Sequence, residues 1–306
     1  MPHCPICQEN TNNHYASAKD VEYFTTTDKF DFYTCSNCDV LFIHPIPLDL
    51  LSVIYPANYY SFTSKNKSLA FRMKDFIDSL LFKKILREVP GERLRVLDIG
   101  GGTGTLLDII KKADKRVHFT QVVDLDAHAK VIATKKGHTY YQGTIETFQD
   151  DTGYDVILML NLIEHVSDPV KVLGKAGALL NNQGVIIVKT PNFKSLDAAI
   201  FKKSYWGGLH CPRHWVLFSK SGFSQLAKNS GLKIKQFTYT QGAPFWAFSI
   251  LHRMHTRKWI RADKDRPIIY HPLFGIISLF AAAFDFARKP FAPLSQMFFV
   301  LAKKNN

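Results

Sequence analysis

Acidic residues are scarce: 26 Asp and Glu stand against 39 Lys and Arg, a formal charge of +13 over 306 residues. Such an imbalance draws phosphates, on nucleic acid or on an anionic membrane surface, and otherwise serves solubility. Cysteine is scarce too, with five residues in the chain. The opening MPHCPICQEN has no apolar core of a signal peptide, so the expected compartment is the reducing cytoplasm rather than a disulfide-forming one. Long hydrophobic runs are missing as well. The apolar stretch 273–284 falls short of the roughly 20 residues that span a bilayer. Wholesale disorder is not expected, because 46% of the residues are apolar and 21% charged. A chain of this length can bury roughly 75% of its unfolded surface, so its core needs no disulfides.

Four of the cysteines form two pairs, Cys4/Cys7 in CPIC and Cys35/Cys38 in CSNC. Each CxxC makes a knuckle that aims two thiolates at one point, and two knuckles surround a tetrahedral Zn²⁺. Strand-like stretches VEYFTTT and FDFYTC lie between them. Residues 1–44 therefore read as a zinc ribbon in which the metal is structural. A redox dithiol would need a βαβ context that is missing here. Cys211 reads as a lone thiol without a role. A connector and helical cap follow over 45–92, ended by Pro90 and Gly91.

The segment LRVLDIGGGTGTLLDII reads as strand, glycine turn and helix. A phosphate-binding P-loop would need Lys-Ser or Lys-Thr after the last glycine, and Thr105-Leu106 stand there. The dinucleotide fingerprint would need glycine at Thr105. The glycines fall instead at Gly100, Gly102 and Gly104. Asp98 ends the strand before them. A carboxylate there repels a pyrophosphate and favours a ligand with a cationic group, such as the ammonium of S-adenosylmethionine. About twenty residues on, VVDLD supplies Asp124 to grip ribose hydroxyls, while Asp126 is placed to cap the next helix. TYYQGTIETF offers an adenine turn, and YDVILML reads as a strand buried on both faces. The alternation of strands and helices predicts a doubly wound parallel sheet.

With these pieces in order, the run over roughly 93–237 resembles the class I S-adenosylmethionine-dependent methyltransferases. It is similar to the branch of ubiquinone-type O-methyltransferases and many small-molecule and sugar methyltransferases. VLDIGGGTG, VVDLD, YDVILMLNLIEHVSDP, LLNNQGVIIVKTPN and CPRHWVLFSKSGFSQLAKNSGLKI carry the resemblance. It implies an α/β fold, a doubly wound Rossmann-like seven-stranded sheet, in a domain over 93–306. It implies cofactor contacts at Asp98, Gly100, Gly102, Gly104, Asp124, Leu125, Ile145, Glu146, Asn161 and Leu162. Sugar C-methyltransferases have a similar Asn-x-x-x-His after the fourth strand, which implies His165 as base or acceptor contact. His214 and Tyr60 are further candidates, with Tyr59 and Tyr205 beside them. Two departures stand out. Thr144 replaces the family's acid at the adenine turn. Asn161 replaces a carboxylate of the ubiquinone-type motif, so a catalytic Mg²⁺ is not expected.

Before the last strand the chain carries an insertion over about 243–293. It holds HRMHTRKWIRADKDR and then the apolar run, a pattern of an interfacial membrane anchor over 251–289 or of a helical hairpin over the substrate pocket. The expected enzyme methylates oxygen or carbon of a small-molecule, sugar or lipid-linked acceptor, in the cytoplasm or at the inner face of the membrane. An RNA methyltransferase is the rival reading, disfavoured because no aromatic RNA-binding platform is visible. A non-catalytic cofactor-binding relative is the third.

Overall fold

The structure, a computed structural model, describes residues 1–56, 69–202, 206–291 and 293–304, and for 69–75 the main chain alone. Its strands in chain order are β1 (His14–Ala18), β2 (Phe30–Cys35), β3 (Val40–His44), β4 (Leu94–Ile99), β5 (Val117–Asp124) and β6 (Thr139–Gln142). There follow β7 (Tyr154–Leu160), β8 (Leu180–Pro191), β9 (Val216–Phe218), β10 (Leu232–Thr240) and β11 (Gln296–Lys303). Seven of them form one sheet in the order β10-β11-β8-β7-β4-β5-β6. The pairings β4–β5, β4–β7, β5–β6 and β7–β8 are parallel. β11 runs antiparallel between β8 and β10. This is the doubly wound α/β sheet expected from the alternating pattern, with the sixth and seventh strands where KIKQFTYT and QMFFVLAK stand.

The central strands are apolar on both faces because helices cover both. Val156, Ile157, Leu158 and Met159 of β7 are fully buried, as are Ile186, Ile187 and Val188 of β8. The helix Thr105–Ala113 turns Leu107, Ile109 and Ile110 inward. The helix Pro169–Leu179 buries Val172, Leu173 and Ala176, and the Asp168 side chain caps it by accepting the N–H of Lys171. Ser219 caps the helix Lys220–Asn229 in the same way through the N–H of Gly222.

A second sheet has the order β1-β2-β3-β9. Its first three strands belong to the cysteine-bearing segment. The fourth comes from the middle of the chain: Val40, Leu41 and Phe42 pair with Phe218, Leu217 and Val216. Three residues are too few to announce a strand, so the pattern of the sequence did not foreshadow this join. The apolar contacts are continuous across it. Phe218 meets Phe223 edge to face at 5.6 Å, and Phe223 stacks on Phe299 of the large sheet at 4.0 Å. A fully buried ion pair, Asp20 with Arg213 at 2.8 Å, also ties the N-terminal segment to the loop before β9.

The insertion between β10 and β11 is two helices, Ala243–Thr256 and Leu273–Arg288, joined through a short 3₁₀ turn at Ile268–Tyr270. The first is tucked in, with Trp246, Ala247, Phe248 and Leu251 buried. The second is buried only at Ala281 and Asp285. No helix among the described residues is long and apolar enough to cross a membrane.

Candidate active site

The carboxyl ends of β4, β5 and β7 meet at the glycine turn, the usual position of ligands in such sheets. A recess bounded by Val89, Pro90, Asp155, Asn181 and Gly184 lies at the opposite ends of the strands. The turn leaves β4 through Gly100, whose N–H donates to the Val123 carbonyl at 2.8 Å. The Gly102 N–H donates to Oδ2 of Asp124 at 2.8 Å. Gly100 and Gly104 both have left-handed φ, +72° and +71°. A Cβ at Gly100 would come within 2.8 Å of Leu162, and one at Gly104 within 2.5 Å of His138. A Cβ at Gly102 would meet nothing among the described residues within 4 Å, its chain neighbours aside. Leu162 thus seats the end of β7 against the turn, and Gly102 leaves its backbone bare.

Asp98 is 1% exposed, and its Oδ2 has no hydrogen-bond partner among the described residues. Burial, reinforced by the nearby Asp124 charge, raises its carboxyl well above the usual carboxylate range. A buried carboxyl with a vacant acceptor atom fits the ammonium of S-adenosylmethionine. Asp124 accepts from Gly102 through one oxygen and from the Asp126 N–H through the other at 3.0 Å, which fixes its plane at the end of β5. Asp126 caps the next helix, accepting from His128 and Ala129. Leu125 beside them is 69% exposed. At the adenine turn Ile145 is buried in the core and Glu146 is exposed, so Ile145 offers only its backbone to a ligand. Asn161, in left-handed conformation at φ 55°, holds its side-chain carbonyl on Gln296 at 3.0 Å.

On the other side of β7 lies a cluster of imidazoles. His165 packs against His214 with ring centroids 4.6 Å apart, and His214 against His210 at 4.9 Å. His165 Nδ1 donates to the Arg213 carbonyl at 3.0 Å, with the Tyr55 hydroxyl at 3.3 Å. His214 Nδ1 donates to the Gly208 carbonyl at 2.8 Å. A proton held on Nδ1 by a carbonyl leaves the lone pair on Nε2 in both rings. Burial, with the charge of His210, pushes the His165 pKa down to about 3, and His214 is lowered in the same direction by burial. Glu164 lies beside them, fully buried, with Oε2 accepting from Thr190 at 3.0 Å and Oε1 without a partner among the described residues. Burial raises its carboxyl to about 8. One ligand atom each from Glu164, His165 and His214 lies within 4.8 Å of the others.

Tyr60, with Tyr59 and Tyr205, lies outside the described residues. Tyr55, Glu22, Asp20 and Arg213 were not legible as site residues, since they are far apart in sequence and match no motif. Cys4, Cys7, Cys35 and Cys38 converge, all four sulfurs within 4.8 Å of one another. The N–H of Ile6 donates to the Cys4 sulfur and that of Cys38 to the Cys35 sulfur, each at 3.4 Å, the pattern of two metal-binding knuckles.

A model of the methyltransferase domain family matches residues 71–236. A ubiquinone biosynthesis O-methyltransferase of Caulobacter (strain K31) is 30% identical over 190 residues, 58% of this chain and 70% of that protein. One from Rhodopseudomonas palustris (strain HaA2) is 33% identical over 122 residues, 37% of this chain and 46% of the relative. The chain thus spans about half the length of most curated relatives it matches. Among solved structures, a coclaurine N-methyltransferase bound to N-methylheliamine and SAH overlays with a TM-score of 0.51 at 13% identity, covering 84% of this chain and 82% of that one. The 4+2 cyclase SpnF overlays equally well, at 0.51 and 14% identity, covering 79% and 85%. At such identities the overlays show the fold alone, and a cyclase among them shows that the fold does not fix the reaction.

The Asp98 carboxyl generates a test. Asp98→Asn should weaken S-adenosylhomocysteine binding about 10- to 100-fold, as loss of a charge-assisted hydrogen bond does. Because the empty protein holds Asp98 protonated to a raised pKa and the ammonium selects the ionised form, affinity should rise with pH and binding should release a proton. Calorimetry in buffers of different ionisation enthalpy reads both effects; equal affinity in the variant would refute the role.

Proposed function

The chain belongs to the methyltransferase domain family, and from that premise we propose that it transfers a methyl group from S-adenosylmethionine to a small-molecule acceptor. The observation that carries this reading is the buried, unpartnered Oδ2 of Asp98 beside open space at Gly102. The names of the relatives favour oxygen as the receiving atom. When bound, S-adenosylmethionine supplies an activated methyl group on sulfur. Asp98 holds the ammonium, Asp124 the ribose, and the backbone at Gly102 and Ile145 lines the nucleoside. Asn161 and Leu162 border the methionine end.

His165 receives the proton of the acceptor hydroxyl on Nε2. Burial keeps the ring neutral, so the lone pair is available at any pH above about 3. That low basicity also limits its value as a base, to roughly 10² in rate, the lower end of the usual 10²–10⁴ range. His214 packs on the His165 ring and borders the same acceptor space.

The four cysteines are proposed to hold one Zn²⁺. Four protein sulfurs close the coordination sphere, so the metal contributes folding energy and no Lewis acid chemistry.

The acceptor is proposed to be apolar or lipid-linked and to be met at an anionic membrane surface. Ile276, Leu279, Phe280 and Phe286 share the outward face of the helix Leu273–Arg288, each more than half exposed. Exposed Trp259 lies in the preceding basic loop, with Arg257 stacked over its ring. An apolar face flanked by cations is the composition of an interfacial helix. The helix packed beneath it, Ala243–Thr256, supports the acceptor loop: the Ser249 hydroxyl accepts the Gly207 N–H at 2.8 Å.

Three measurements check these readings. His165→Gln should lower kcat roughly 10²-fold toward any phenol, sugar or lipid-linked acceptor that the protein methylates, with S-adenosylhomocysteine affinity unchanged. At saturating cofactor the rate should show no acid limb near pH 6.5, and a limb there would remove His165 as the base. Metal analysis should find one zinc per chain, and its removal should lower the melting temperature by ~2–4 °C per kcal/mol lost. Finally, the protein should sediment with phosphatidylglycerol vesicles more than with phosphatidylcholine ones. Leu279→Asp with Phe280→Asp should weaken this at least ~10-fold, since each apolar side chain contributes about 1.5–3 kcal/mol. Equal sedimentation with neutral vesicles would dispose of the membrane reading.

A further inference from the structure

Asp20 and Glu22 lie between β1 and β2, in the cysteine-bearing segment, yet both are buried at 3% exposure and both reach the loop that carries His210 and His214. Asp20 pairs with Arg213 through Nη2 at 2.8 Å and Nη1 at 3.3 Å. It also accepts the N–H groups of Glu22, Tyr23 and Thr25 at 3.2, 3.0 and 3.0 Å. These bonds wind 20–25 into a tight turn. The turn presents Glu22 to His210, whose Nδ1 lies 2.5 Å from Oε2. Arg213 donates Nε–H to the Ile54 carbonyl at 2.6 Å, next to Tyr55, whose hydroxyl faces His165.

Asp20 has a guanidinium as partner, and its role in holding the turn is sufficient reason for its burial. Glu22 instead faces an imidazole. Burying a carboxylate costs several kcal/mol that apolar packing would avoid, so stability alone does not explain it. What the contact does achieve is orientation. A carboxylate on Nδ1 fixes the tautomer and ring plane of a histidine. The His210 ring in turn packs on His214 and stands 6.2 Å from His165.

We propose that Glu22 is a positioning residue for methyl transfer, acting through His210 on the His165–His214 pair. The N-terminal segment is then one wall of the acceptor site rather than an appended module. This rests on the reading of His165 as the group that meets the acceptor.

The test uses the full-length, metal-loaded chain carrying Glu22→Gln, which preserves size and removes charge. Nitrogen-15 ring shifts should show His210 losing its fixed tautomer and the shifts of His214 and His165 moving with it. S-adenosylhomocysteine affinity and melting temperature should stay as in the parent. Toward any acceptor the parent methylates, kcat should fall at least ~10-fold with the KM for S-adenosylmethionine within about twofold. Glu22→Asp should recover part of the rate. In a His210→Asn background the Glu22 substitution should cost nothing further, because the two act as one unit. Unchanged His165 and His214 shifts would overturn the proposal, even if no acceptor is found and the methyl-transfer reading itself fails. So would a kcat within about twofold of the parent, or an equal loss in the His210→Asn background.

Discussion

The proposed cofactor side follows from one constraint: a carboxyl group sits in the core at Asp98 with an oxygen that nothing among the described residues satisfies. Such an atom costs of order 1–3 kcal/mol, more if charged. The glycine turn follows it directly, and the N–H groups of Gly100, Gly102 and Gly104 donate elsewhere, to the Val123 carbonyl, to Asp124 and to the Gly101 carbonyl. The glycines are therefore not a phosphate nest. Their N–H groups hold the adjoining strand ends together, which leaves the Asp98 carboxyl to the ammonium in the proposed reading. This distinguishes the site from a dinucleotide pocket of the same topology, where the turn's donors face an anion.

The acceptor side is organised by the opposite rule. There most of the polar groups are paired with one another, Oε1 of Glu164 being the exception among the described residues. Three imidazoles, three carboxylates and an arginine come from three stretches of chain, and backbone carbonyls at Gly208 and Arg213 fix two of the rings. The loop 206–215 holds this shape because it is gripped from three sides. β9 joins it to β3, the Asp20–Arg213 pair joins it to the N-terminal segment, and Ser249 joins it to the insertion. Breaking a fully buried pair such as Asp20–Arg213 costs roughly 3–5 kcal/mol, so the loop and the N-terminal sheet should be lost together rather than separately.

Much of the cofactor side was legible because its residues are local. Asp98 and the three glycines lie within seven positions, and each strand end is marked by apolar residues followed by an acid or asparagine. The parallel sheet was legible for the same reason, as the pattern of strands and helices predicts parallel pairing, although the strand order was not. The acceptor side was only half legible. His165 could be placed from its position after β7 and His214 from its loop. Glu22, Asp20, Arg213 and Tyr55 could not. Their partners lie 110 to 193 residues away, and a single sequence carries no periodic signal for such contacts. The three-residue β9 was hidden because Val-Leu-Phe is too short to distinguish from any buried loop.

The two sides impose different electrostatics on one reaction. On the proposed reading the cofactor brings positive charge on sulfur and nitrogen to Asp98 and Asp124. The acceptor, on the same reading, gives up its proton beside neutral imidazoles whose basicity burial has suppressed. A strongly basic group at position 165 would be protonated at neutral pH and would place a positive charge beside a cationic donor. Depressing the His165 pKa avoids that repulsion at the expense of proton affinity. The compromise suits an acceptor whose own proton is already acidic, such as a phenol or an enol, better than a simple alcohol, because little driving force is then needed from the base. On the proposed reading, the depressed imidazole thus narrows the acceptor chemistry.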